Sequence, residues 1–84
     1  MYVGVIHRIA DPEKFFAIAQ ETVANLPEGI TVKQIMPATG GATCLCLWQA
    51  PSVDAVRYVV DEAVGSVAVN ECFEIAADQG LGLD

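Results

Sequence analysis

The chain predicts a single two-layer α+β domain, with two helices on one face of a four-stranded antiparallel sheet. Three observations carry this. Its 84 residues are enough for one domain and no more. Segments with strand period and segments with helix period follow one another in the order β-α-β-β-α-β. Two of the four strand segments are apolar on both faces, as central strands are, and the other two each carry a mixed face, as edge strands do.

Residues 2–9 (YVGVIHRI) read as the first strand. Val3, Val5, His7 and Ile9 lie on one side, with Tyr2, Gly4 and Ile6 on the other. Asp11-Pro12 then opens a helix, Asp11 as its N-cap and Pro12 in its first turn. Phe15, Phe16, Ala19 and Val23 keep the 3.6-residue spacing, and Pro27 and Gly29 end the helix near Asn25. Residues 30–36 (ITVKQIM) form a second strand, with Ile30, Val32 and Met36 on one face and Thr31 and Lys33 on the other. Residues 38–41 (ATGG) turn the chain into a third strand, 42–50 (ATCLCLWQA). There Leu45 and Leu47 face one way, and Cys44, Cys46 and Trp48 the other. Ser52 caps a second helix with an apolar stripe of Val53, Val56, Val60, Ala63 and Val64. An Arg57–Asp61 ion pair fits its i,i+4 spacing. The fourth strand, 69–76 (VNECFEIA), puts Val69, Glu71, Phe73 and Ile75 on one face and Asn70, Cys72 and Glu74 on the other. The tail, 78–84, is expected to be loose or to dock as an arm.

This order is the split βαβ arrangement of the ferredoxin-like sandwich, and it implies the sheet order 4-1-3-2. Strands one and three are then central, and they are the two with apolar faces on both sides. The helices cover only one face, so the other calls for a cover. The expectation is a homodimer or higher homo-oligomer formed through that face, a buried small-molecule ligand, or both.

Composition narrows the partners. The chain is 54% hydrophobic and 18% charged, which excludes disorder. Its net charge is −7, with four scattered cations (Arg8, Lys14, Lys33, Arg57). No basic patch exists for nucleic acid or for an anionic membrane surface. Three cysteines in apolar runs (Cys44, Cys46, Cys72) fit a reducing cytoplasm better than a disulfide framework. No signal-peptide pattern and no apolar run of membrane-spanning length is expected.

No motif names a reaction. His7, the single histidine, is either a satisfied strand histidine or, as a neutral imidazole, a general base or metal ligand. In the 4-1 pairing, Glu71 or Asn70 comes within its reach, and His7 with Glu71 is the candidate metal pair. Trp48 either roofs a ligand pocket or anchors a subunit interface, and the interface is the favoured reading. Tyr2 and Tyr58 are hydrogen-bonding candidates, Tyr2 being placed with Trp48 as ligand-binding. The Cys44-x-Cys46 spacing is that of core packing, with a soft-metal site as the lesser reading. Glu71, Glu74 and Asp78 are solvated edge charges or, less readily, a cation site. Gly40-Gly41 joins two strands, so it is no phosphate loop.

The junction Cys46-Leu47-Trp48-Gln49-Ala50-Pro51-Ser52-Val53-Asp54-Ala55-Val56-Arg57 resembles a strand-to-helix junction shared by a family of small uncharacterised ferredoxin-like domains. The likeness runs loosely to the fourth strand, with Glu71, Phe73 and Glu74. That family includes a nickel-binding member, so the resemblance implies the fold and a divalent transition metal held by histidine and oxygen ligands; the alternative is no cofactor at all. More distantly, the architecture is similar to the dimeric α+β barrel proteins, in which two such sheets pack face to face. Two functions follow as expectations. One is a non-catalytic binding or structural protein holding a metal ion or a small apolar ligand. The other is a cofactor-free monooxygenase or isomerase acting on a small aromatic compound, with His7 as base.

Overall fold

A computed structural model describes residues 1–83. The elements are β1 (Tyr2–Ile9), α1 (Pro12–Ala24), β2 (Thr31–Pro37), β3 (Thr43–Gln49), α2 (Val53–Val64), β4 (Ala68–Glu74) and a short 3-10 turn at Ala77–Gln79. The four strands form one antiparallel sheet in the order β2-β3-β1-β4, the expected order read from its other edge. Both helix starts follow from their caps. Asp11 Oδ1 accepts from the Lys14 backbone N–H at 3.1 Å, and Ser52 Oγ accepts from that of Ala55 at 3.1 Å. At the β2–β3 turn, Gly40 and Gly41 have φ of 94° and 80°, a left-handed conformation that side-chain-bearing residues resist.

The core lies between the helices and one face of the sheet. Val3 and Val5 of β1 and Cys44, Cys46 and Trp48 of β3 meet Phe15 of α1 and Val56, Val60 and Val64 of α2. The register pairs Val3 with Trp48, Val5 with Cys46 and His7 with Cys44, so these six side chains share the helix-covered face. On β4 the same face carries Asn70, Cys72 and Glu74, opposite His7, Val5 and Val3. The other face carries Ile6, Leu45, Leu47, Met36 and Phe73, with Leu45 44% and Met36 43% exposed.

Three expectations change. A β-bulge at Lys33 sets Val32 opposite Trp48 but Gln34 opposite Leu47. The extra residue inverts the alternation, so Ile35 joins Val32 on the helix side and Met36 leaves it. The Arg57 guanidinium pairs with Asp54, one turn back, and not with Asp61, which accepts from the Asn70 amide instead. Trp48 lies beneath the helices, 4% exposed, so it is not at the seam of the uncovered face. The tryptophan and the free apolar face are on opposite sides of the sheet, because Trp48 is an even step from Cys44 and Cys46 and an odd one from Leu45 and Leu47.

Candidate functional site

His7 is 3% exposed and is the one buried charged or polar side chain in the core among the described residues. It sits near the end of β1, its ring edge-on to Phe15 with centroids 5.0 Å apart. Its hydrogen bond is made through Nδ1, 2.6 Å from Asn70 Oδ1. Asn70 Nδ2 in turn donates to Asp61 Oδ1 at 3.0 Å.

This chain of contacts assigns the protons. An ionised carboxylate only accepts, so the Asn70 NH₂ group must face Asp61. The amide oxygen therefore faces His7, and Nδ1 must carry the proton. Burial lowers the pKa of His7 below its usual value of 6.5, and the bond to Asn70 offsets only part of that. The ring is therefore neutral at pH 7, and its Nε2 presents a lone pair.

That ring lines a hollow of about 40 Å³ between the helices and the sheet. Phe15, Cys46, Trp48, Val60 and Ile35 also line it. Trp48 Nε1 is buried with no hydrogen-bond partner among the described residues, the kind of orphaned donor that native cores rarely leave. Outward, the hollow continues through Ala19, Val23 and Ile35 into an apolar groove of about 360 Å³, flanked by Phe16 and Gln20. The groove exists because α1 leaves β2 uncovered: Ile35 points to the helix side yet is 43% exposed. Among the described residues, no Asp, Glu, Lys or Arg lines either part.

The predicted site residues are divided by the sheet. His7 and Trp48 line one hollow. Glu71 pairs with Ile6 on the opposite face and binds Arg8 at 3.0 Å, so it does not join His7. A one-residue step along β4 separates the two carboxamide and carboxylate candidates, and Asn70 is the one on the side of His7. Tyr2, two residues before Gly4, belongs to Glu71's face and does not join Trp48; Tyr58 is 69% exposed on α2. Among the described residues, no group of three or more His, Cys, Asp or Glu side chains is placed to hold a metal ion. The thiols add little: Cys44 and Cys46 sulfurs are 3.8 Å apart, and burial, with Cys44 beside it, pushes the Cys46 thiol up, away from the thiolate that a soft metal needs. The donor set implied for nickel therefore does not fit these residues. Of the two residues expected within reach of His7, Asn70 is the one that meets it, and Asp61, expected only as a partner for Arg57, is the part of the site that sequence did not reveal. The parity of Asn70 with Cys72 was a usable signal, but no sequence pattern joins Asp61 to it.

No family model matches the chain, and no curated protein matches it. Among solved structures, the fold is shared with a crystal structure of SCO4226 from Streptomyces coelicolor A3(2), at 24% sequence identity and a TM-score of 0.67, over 90% of this chain and 96% of that one. At that identity the likeness is one of fold: a small α+β protein with the same layout.

Proposed function

We propose that this chain is a small non-catalytic binding protein that holds an apolar small molecule in the cleft between α1 and the sheet. The observation that supports it is the cleft itself, an apolar groove ending at a hollow lined by His7, Phe15 and Trp48. The test is a titration of the ¹⁵N/¹³C-labelled protein with toluene, read by NMR. Shifts centred on Phe15, Trp48 and Val60 are expected. Shifts centred on Leu45 and Leu47, or none, overturn the reading.

The same proposal has the protein assembling as a homo-oligomer through the helix-free sheet face. Support comes from the half-exposed Met36, Leu45 and Phe73 and from the local charge balance. The charges placed on this face, Arg8 and Glu71, pair with each other, so the −7 of the chain does not oppose apposition there. Sedimentation should give at least twice the 8.9 kDa chain mass, and Leu45→Glu should return a monomer. A wild-type monomer at micromolar concentration overturns this part.

The proton assignment favours one other reading, a cofactor-free monooxygenase or isomerase with Nε2 of His7 as base. His7→Ala separates the two. Unchanged toluene binding, with no turnover of small hydroxyaromatic compounds by either protein, removes the enzyme.

A further inference from the structure

We infer that α1 is a lid over the cleft and that protonation of His7 releases it, so that acid opens the site. The role in ligand holding rests on the cleft being the binding site. The movement itself rests only on how α1 is docked.

The two helices are held unequally. α2 buries three valines, Val56, Val60 and Val64, among its 12 residues, and α1 buries Phe15 alone among its 13. The rest of the inward stripe of α1 does not close on the sheet. Ala19 and Val23 line the hollow, and Phe16 joins them along the groove. Docking free energy scales with the apolar area removed from water, so α1 is the helix that leaves the sheet at the lesser cost.

The one buried residue of α1 is seated on the one titratable group of this core. Phe15 packs against the His7 ring, with centroids 5.0 Å apart, and His7 is 3% exposed. A neutral imidazole needs only its bond to Asn70 there, but an imidazolium needs water or a carboxylate. Among the described residues, the surrounding elements supply neither. β3 sets Cys44 beside the ring, and β4 offers the neutral Asn70 amide. α2 brings Asp61, but that carboxylate binds the far end of Asn70 and reaches the ring only through it. Arg8 and Glu71 pair with each other on the opposite face. The charged residues of α1 itself, Glu13, Lys14 and Glu21, are exposed. Moving Phe15 away admits water to the ring and leaves both the bond to Asn70 and the strand pairing intact. The charge is therefore relieved by displacing one helix, without unfolding the sheet. Burial holds the His7 pKa below 6.5 while α1 is docked, and hydration returns it towards 6.5 when α1 leaves. Between those two values each pH unit favours the open form by up to about tenfold, the weight of one proton.

The experiment is amide hydrogen exchange on the full chain, read by NMR from about pH 7.5 to about pH 5 and corrected for intrinsic rates. The His7 ring is followed in the same samples. α1 amides should be less protected than α2 amides already at neutral pH. Their protection should fall by up to about tenfold per pH unit below about pH 6.5 and level off once the ring is fully protonated. His7→Gln should make the α1 profile flat, and toluene should bind the wild type more weakly as α1 opens. Equal protection of α1 and α2 at every pH overturns the lid, since the helix then leaves only with the whole fold. A locally opening α1 with a flat wild-type profile overturns His7 as its trigger. Both of these outcomes are read on the wild type, so neither depends on the variant folding. Absence of toluene binding at neutral pH, with the α1 slope present, overturns the cleft as a ligand site and leaves the acid release of the helix standing.

Discussion

The two faces of this sheet are built from similar residues and meet different fates. The helix side takes Val3, Val5, Cys44, Cys46 and Trp48, all at or below 5% exposure. The other side takes Ile6, Leu45, Leu47 and Phe73, and it is left partly in water. Hydrophobicity along a strand says that a face wants cover. The direction of the chain between strands decides whether it finds any. Both crossovers of a split βαβ fold place their helices on one side, so the second face is covered only by its own side chains or by another molecule. β1 shows the local remedy. Gly4 lies on the open face but is buried, because the ring of Phe73 lies over it.

Five substitutions sharpen this comparison. Trp48→Ala should cost about 3–5 kcal/mol in urea denaturation, because it empties the packed side. Leu45→Ala on the open side should cost well under half of that in the monomer. Gly4→Ala comes next. A Cβ there would lie 2.7 Å from the Phe73 ring, so the ring must move off β1. A loss of about 1–3 kcal/mol is expected, and Phe73→Ala should relieve the clash in the double variant.

The pH dependence tests the helix side alone. The folded His7 pKa lies below its unfolded value, so the unfolded chain binds more protons between the two values. Stability should therefore be full above about pH 6.5 and fall as pH drops through the folded pKa. His7→Gln should remove that component of the slope. The smallest effect belongs to the open face. Arg8→Ala breaks an ion pair whose side chains are 57% and 55% exposed, and it should change stability by no more than about 0.5 kcal/mol.

Much of the fold was legible because it depends on short-range periodicity. Asp11 and Ser52 cap where expected, the valine stripe of α2 buries Val56, Val60 and Val64, and β1 and β3 are central. The bulge at Lys33 was not legible. No glycine or proline marks it, and one unpaired residue moves Ile35 and Met36 to opposite faces. The site was legible only in part. His7 and Trp48 stood out as the single residues of their kinds. Joining His7 to Asn70 in place of Glu71 required knowing which face of β4 turns to the helices. Joining Asp61 to Asn70 required the helix to be docked.

The amino-acid sequence by itself determined the elements, their order and the central place of β1 and β3, because period, caps and turn residues act over a few positions. Only the tertiary structure decided which apolar face the helices cover, and so that Trp48 is inside and Leu45 is not. Alternation divides a strand's residues into two sets, but it gives neither set a direction. Burial is assigned when the helices pack, and with it came the oriented imidazole, the unpartnered indole and the cleft between them.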